Sequence, residues 1–258
     1  MDIIEFKNCS YKNKHLVGGK CSSLGELYHL SQQLNFNIAD GFATTISLYD
    51  TFIEQNNLNE IINNTLASLD YNNIKLLEQE SAKLINAISE SNFTEPQEDN
   101  IISHYKDLCK KYNKHDLEVA IRSSALAEDM PNASFAGQQD TYLNVIESSN
   151  VIHNIKKCFA SLFNVRALSY RNTHNISIDE VKISVAVQKM VRSDIGSAGV
   201  AFSLDPETGY NKAIVINSSF GLGELVVSGG VKPDEIICDK ENATPADPMS
   251  DLTIRHIL

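Results

Sequence analysis

Four short stretches of the sequence combine glycine with charged or polar side chains in a way that could hold a phosphate chain. They are Val17-Gly18-Gly19-Lys20, the run VAIRSSALAEDMPNASFAGQQDTYLNV over 119–145, Gln188-Lys189-Met190-Val191, and Gly221-Leu222-Gly223-Glu224. Each stretch is a weak signal alone. Together they supply cations, backbone N–H groups and an acid for a divalent ion, which is what a nucleoside triphosphate requires.

The first stretch places a lysine directly after two glycines. Gly18 and Gly19 let the backbone turn tightly, and Lys20 opens a helix predicted over 20–34. A cation at a helix N-terminus favours phosphate. The alternative is a glycine turn followed by a solvated lysine. The stretch is not a Walker A loop, because GxxxxGK[ST] is absent.

The second stretch begins as a strand predicted over 118–122, and Arg122 is expected to end it at a sheet edge or cleft. The structural alternative for Arg122 is a salt bridge with Glu128 or Asp129. The later Ala136-Gly137 pair offers N–H donors and room to close over a ligand, although a plain hairpin connection is equally open.

The last two stretches carry weaker signals. Gln188 to Val191 follows a predicted strand whose last carbonyl and amide groups could pair with an adenine edge, or which could be core with a methionine filler. Glu224 could ligate a divalent ion bridging phosphates, with Asp234 and Glu235 completing an oxygen-rich site. For lone acids the alternative is a solvated surface.

Composition narrows the classes of partner. The chain has 258 residues and a formal net charge of −11, which argues against a nucleic-acid or anionic-membrane surface. Its 5 cysteines are scattered without a CxxC pair, which fits a reducing cytoplasm rather than a disulfide framework or a zinc site. We expect no signal peptide and no membrane helix.

The pattern of elements predicts an α/β or α+β fold. Residues 1–116 are expected to form a mainly helical lobe carrying Lys20, with N-caps at Ser47, Asp70 and Thr94. Residues 117–240 are expected to form a sheet-centred lobe, and 241–258 a tail or truncated linker. The strands are predicted over 118–122, 140–146, 181–189, 198–204 and 213–217, with one long helix over 150–171.

The motifs occur in an order that resembles a known family. The blocks are VGGKCSSLGEL, DGFATT, VAIRSSALAEDMPNASFAGQQDTYLNV, CFASLFNVRALSYR, VQKMVRSD and SSFGLGELVVSGGVKPDEI. They resemble the amino-terminal nucleotide-binding region of the phosphoenolpyruvate synthase (pyruvate, water dikinase) family over nearly residues 5–240. More distantly, they are similar to pyruvate, phosphate dikinase and rifampicin phosphotransferase.

The resemblance implies an ATP-grasp-like fold with ATP held between two lobes. Lys20 and Arg122 would hold the phosphates as the catalytic cations, and the loop around Gly137 would close over them. The nucleotide would also meet Ala136, Gln138 and Thr141, while Gln188, Lys189, Met190 and Val191 would receive adenine. Glu224 and, less firmly, Asp234 would bind Mg²⁺.

The resemblance also implies a reaction and the partners that complete it. In the family, the phosphoryl group of ATP passes to a histidine on a swivelling domain and then to pyruvate on a barrel. We find no glycine-flanked phosphohistidine motif here. The chain is therefore expected to bind Mg·ATP without making phosphoenolpyruvate alone. The alternatives are a rifampicin phosphotransferase domain and a stand-alone, non-catalytic nucleotide-binding protein.

Overall fold

The protein is described by a computed structural model that covers residues 2–126, 140–177, 181–241 and, for the backbone only, 252–255. The chain forms two compact units, Met1–Met190 and Val191–Leu258. Each unit contains one antiparallel sheet.

Helices and strands alternate irregularly along the chain. The helices are α1 Lys14–Leu34, α2 Ile46–Gln55, α3 Leu58–Ala67, α4 Ile74–Glu90, α5 Glu95–Lys111, α6 Ser148–Ala160, α7 Val165–His174 and α8 Gly223–Val227. The strands are β1 Ile3–Glu5, β2 Gly41–Thr44, β3 Val119–Ala125, β4 Thr141–Val145, β5 Ile183–Lys189, β6 Ser197–Phe202, β7 Ala213–Phe220, β8 Asp234–Asp239 and β9 Leu252–Arg255. Short 3-10 turns occur at Phe6–Asn8, Tyr11–Asn13, Ser161–Phe163 and Ser193–Ile195.

The sheet of the first unit has the strand order β1-β2-β5-β3-β4. Alternate residues of β5 belong to different cores, because successive side chains of a strand point to opposite faces. Ile183, Val185 and Val187 join a large apolar cluster with α2 to α7, whereas Ala186 joins a small cluster with Val17 of α1. The helix α1 therefore covers one face of the sheet and the remaining helices of this unit cover the other.

Helix boundaries follow local capping chemistry rather than hydrophobic periodicity alone. Thr94 caps α5 with a reciprocal capping box, as predicted. The caps of α2 and α4 are Thr45 and Asn73, each accepting an N–H three residues on, and not the predicted Ser47 and Asp70. The predicted helix over 150–171 is divided, because the Asn164 side chain caps a new helix, α7.

The sheet of the second unit has the order β6-β7-β8-β9, with α8 between β7 and β8 in the chain. Two of its strands, β8 and β9, were not predicted. Leu252–Arg255 pairs with β8, which differs from the expectation of a tail over 241–258. The weak signal has a physical reason: the four central residues of β8 are all half-buried and do not alternate, and β9 has only 4 residues.

The fold class is a mixture of helices and antiparallel sheets, which confirms the predicted α/β or α+β class. The structural division falls at residue 190, whereas the predicted boundary at 116 lies inside the first unit. The two differ because β1 and β2, from the predicted helical lobe, share a sheet with β3 to β5. Among the residues described, none of the helices is long and apolar enough to cross a bilayer.

Candidate functional site

The glycine pair near the start of α1 interrupts the helix. Gly18 has φ 74° and ψ 177° inside the span Lys14–Leu34, a conformation far from helical. This region of backbone space is open essentially to glycine alone. The helix therefore restarts at Gly19, and Lys20 lies in the first turn of the restarted segment, as the sequence predicts.

Gly18 also lies in close contact with Ser124 of β3. A Cβ atom built on Gly18 would lie 2.1 Å from the carbonyl oxygen of Ser124 and 2.5 Å from its Oγ. Contacts this short do not occur between real atoms, so only a residue without a side chain fits here. The break in α1 and its contact with β3 therefore depend on the same residue.

The hydroxyl of Ser124 bridges the two sides of the helix break. It donates to the carbonyl oxygen of Val17 at 2.8 Å and accepts from the N–H of Cys21 at 3.2 Å. In an unbroken α-helix the N–H of residue 21 would donate to the C=O of residue 17. A side chain of β3 thus satisfies both groups of this helical hydrogen bond.

Arg122 does not end its strand, contrary to the prediction. It is the fourth of the seven residues of β3, because Ser123, Ser124 and Ala125 continue the ladder with β5. Arg122 and Ser124 are two residues apart and share a sheet face, the one that α1 covers. The guanidinium therefore emerges beneath α1 and not at a sheet edge.

The half-buried guanidinium of Arg122 has a neutral partner. Its Nη1 donates to Oε1 of Gln188 at 3.5 Å, and Gln188 Nε2 donates to the carbonyl oxygen of Ala39 at 3.2 Å. In the ladder, Arg122 stands between Ala186 of β5 and the exposed Thr141 of β4. Within the part of the chain that the structure describes, these partners of the arginine are small or uncharged. Glu128 and Asp129, the alternative salt-bridge partners, lie outside the described residues.

Lys20 and Arg122 line one cavity. Its volume is about 280 Å³, and its walls are formed by Gly19, Lys20, Ser23, Leu24, Leu27, Arg122 and Ala186. Two cations that are 102 positions apart in the chain therefore face the same concave surface, beside a helix start. This arrangement suits a ligand with several negative charges.

Two buried cysteines near this cavity have neutral and therefore unreactive thiols. Burial raises the pKa of Cys21 to about 11, and it raises the pKa of Cys9 to about 12. Both are therefore neutral thiols near pH 7, and a thiol is a poor nucleophile compared with its thiolate. Cys9 and Cys21 therefore act as buried packing residues and not as nucleophiles.

The segment predicted to receive adenine has part of its backbone already bonded. The N–H of Lys189 donates to Asp40 O at 2.8 Å, and the N–H of Met190 donates to Glu118 O at 2.9 Å. Those two donors are therefore not available to a base, which corrects that part of the interpretation. The Gln188 side chain contacts Arg122, and Val191, which is 60% exposed, belongs to the second unit.

The remaining predicted residues are distributed as follows. Ala136, Gly137 and Gln138 lie outside the described residues. Glu224, in the first turn of α8, and Asp234, the first residue of β8, are both exposed residues of the second unit. Across the described ranges, His, Cys, Asp and Glu side chains form no group of three or more that could hold a metal ion.

Sequence reasoning missed the role of Ser124 entirely. The run Arg122-Ser123-Ser124-Ala125 reads as small residues after a strand, and nothing in it shows which serine meets α1. A usable signal is the combination of a glycine pair before a helix with serines on a buried strand, since a broken helix needs a hydroxyl to satisfy its free groups.

Comparison with known proteins places this chain in a family of nucleotide-binding domains. The family described as "Pyruvate phosphate dikinase, AMP/ATP-binding domain" matches residues 14–255. The chain therefore belongs to the pyruvate phosphate dikinase AMP/ATP-binding domain family. This confirms the resemblance found from the motifs.

Individual relatives carry a more specific name. The chain is 45% identical over 225 residues to a phosphoenolpyruvate synthase of Aquifex aeolicus, which covers 87% of this chain and 26% of the relative. It is 45% identical over 230 residues to that of Helicobacter pylori, covering 89% and 28%. For Neisseria meningitidis the identity is 40% over 246 residues, covering 95% and 31%. The chain thus spans under one third of the length of these relatives.

Replacing Gly18 tests the helix break directly. We expect Gly18→Ala to lower the free energy of unfolding by about 3 kcal/mol, because strain at its φ and ψ costs ~1–3 kcal/mol and the new Cβ overlaps Ser124 as well. Urea unfolding followed by circular dichroism measures the change.

Gly209→Ala is the matched control for Gly18→Ala. Gly209 has a similar φ of 73°, but a Cβ there meets nothing within 4 Å. It should cost only ~1–2 kcal/mol, the strain of the left-handed backbone alone. Equal losses in the two variants would contradict the close contact with Ser124.

Proposed function

We propose that this chain binds Mg·ATP and provides the phosphoryl-donor part of a phosphoenolpyruvate synthase reaction. In that reaction ATP, pyruvate and water give AMP, phosphoenolpyruvate and phosphate. A phosphohistidine domain and a pyruvate-binding barrel, in the same protein or on a separate chain, would complete it. An ATP-grasp-like fold, a cytoplasmic location and a role in gluconeogenesis belong to the same proposal.

The single observation that carries the proposal is the shared cavity of Lys20 and Arg122. A triphosphate concentrates negative charge over a few ångströms, and the family description names AMP and ATP as the ligands of such domains. In a chain of net charge −11, two cations in one concavity beside a helix start form a local positive region. That local concentration of charge is what an acidic protein needs to bind a polyanion.

The two cations have different tasks in this proposal. Arg122 presents a planar fork suited to two oxygens of one phosphate, and its bond to Gln188 limits how the fork can turn. Lys20 contributes a compact charge next to the N–H groups of a helix start. Together they would orient the phosphates and neutralise charge that develops during transfer, which is the main protein contribution to phosphoryl transfer.

Magnesium is proposed to bind through Glu224 and Asp234. The observation that bears on the fit is chemical: both are exposed carboxylates of the second unit, and Mg²⁺ takes oxygen ligands, commonly one or two carboxylates with phosphates and water. A bound Mg²⁺ would neutralise phosphate charge. The donor set therefore fits the ion in type.

The first alternative is a rifampicin phosphotransferase domain, in which the phosphoryl acceptor differs. The relatives reported above do not favour it, because all of them are named phosphoenolpyruvate synthase. The non-catalytic alternative makes a different prediction from both enzymes. A nucleotide-binding protein without phosphoryl transfer would bind Mg·ATP but would never phosphorylate a separately supplied phosphohistidine domain.

Removing either cation should weaken ATP binding. We expect Lys20→Ala and Arg122→Ala each to raise the Kd for Mg·ATP about 10- to 100-fold, because each loses a charge-assisted hydrogen bond of ~1.5–3 kcal/mol. Arg122→Lys should recover only part of the loss, since it keeps the charge without the fork. Isothermal titration calorimetry measures all three variants.

Lys83→Ala controls for the loss of a lysine far from the cavity. Lys83 lies on α4 and pairs with Glu80 at the surface, so its loss should leave the Kd unchanged. Wild-type affinity in both Lys20→Ala and Arg122→Ala would refute the proposed site. A folded wild-type chain that binds no nucleotide would refute the function itself.

Removing the proposed metal ligand should change the dependence on magnesium. In Glu224→Gln we expect the gain in ATP affinity on adding MgCl₂ to shrink about tenfold, while affinity for ATP without metal stays near the wild-type value. Glu207→Gln, an exposed acid in a turn of the same unit, serves as the control. An unchanged magnesium dependence in Glu224→Gln would remove Glu224 from the proposal.

A further inference from the structure

We propose that Ser124 is a positioning residue for ATP binding: its hydroxyl holds the backbone of α1 so that the side chain of Lys20 stays close to that of Arg122. The inference rests on the proposed function, because it concerns the same cavity. Ser124 is fully buried and does not line the cavity, so it would act through the backbone of α1 and not by touching the ligand.

At the helix break, two backbone groups of α1 bond to one side chain of β3. The backbone departs from helical φ and ψ at Gly18, between the C=O of Val17 and the N–H of Cys21, and both of these residues are buried. A buried backbone group without a partner is costly, so each needs a bond from elsewhere. One group is an acceptor and the other a donor. A hydroxyl serves both from a single atom, because it donates one hydrogen bond and accepts another.

Lys20 lies at this junction between α1 and β3. Lys20 directly precedes Cys21, whose N–H is held at 3.2 Å by Ser124. Gly18, two residues earlier, is fixed by close contact with the same serine. The backbone of residues 18–21 is therefore held on both sides of Lys20, and the side chain leaves from a defined point.

Arg122 lies on the same strand, β3, as Ser124. Residues 122 and 124 point to the same face of a strand and lie about 7 Å apart along it. Any shift of α1 relative to Ser124 is thus a shift of Lys20 relative to Arg122. Both cations can therefore contact one phosphate chain only while the contacts between Ser124 and α1 are intact.

The adjacent serine provides an internal comparison. Ser123 is also buried, but it alternates to the opposite face of β3, toward the large apolar cluster and away from α1. Ser123→Ala and Ser124→Ala therefore delete the same atom from neighbouring buried positions. Only Ser124→Ala removes the hydroxyl that joins Val17 and Cys21 across the helix break.

Titration of the full chain with Mg·ATP tests the inference. We expect Ser124→Ala to raise the Kd about tenfold, as the loss of one well-placed phosphate contact would, while Ser123→Ala changes it less than about twofold. In the Lys20→Ala background the effect of Ser124→Ala should fall below about twofold, because the residue that it positions is gone. Additive losses in this double-mutant cycle would overturn the inference.

Amide hydrogen exchange supplies a readout that is independent of ATP. The N–H of Cys21 should exchange at least about tenfold faster in folded Ser124→Ala than in Ser123→Ala, with α5 amides unchanged in both. Equal rates at Cys21, or a Ser124→Ala chain that fails to fold while Ser123→Ala folds, would overturn the positioning role. A wild-type chain that binds no Mg·ATP defeats the proposed function, whereas normal ATP affinity in Ser124→Ala defeats this inference alone.

Discussion

The contact between Gly18 and Ser124 is the constraint on which the candidate site depends. It requires a helix that breaks at one residue, a strand with a hydroxyl at the facing position, and small side chains around both. Ser184 and Ala186 meet this last condition on β5, where they pair with Ser124 and Arg122. Larger side chains on this face would lift α1 away from the sheet and separate the two cations.

The two faces of the first unit's sheet have different roles: one packs into the apolar core, and the other carries the candidate binding site. One face carries Ile121, Val185 and Val187 into a large cluster of buried apolar residues, and burial of this kind dominates the free energy of folding. The other face carries a smaller apolar cluster that includes Val17 and Ala186, and its small side chains admit a broken helix and a half-buried arginine. The packed apolar layer thus supports the face that holds the charged groups, and precise placement of such groups needs this support.

Sequence reasoning singled out Lys20 and Arg122, because glycine-lysine and strand-arginine motifs report local chemistry; both residues line one cavity, and their contact with phosphate stays a prediction. It failed where distant parts of the chain decide the outcome. The extent of β3 depends on pairing with β5, and the N–H groups of Lys189 and Met190 are taken by Asp40 and Glu118. The division at residue 190 likewise follows from strands that pair across the sequence. Local propensity contains none of this information.

A crystal structure of the chain with Mg²⁺ and a non-hydrolysable ATP analogue tests the central claim most directly. The account predicts phosphate oxygens about 2.7–3.2 Å from both the Lys20 ammonium and the Arg122 guanidinium, with the Ser124 hydroxyl still joined to Val17 and Cys21. A triphosphate bound elsewhere, or held by only one of the two cations after α1 has moved off β3, would contradict it.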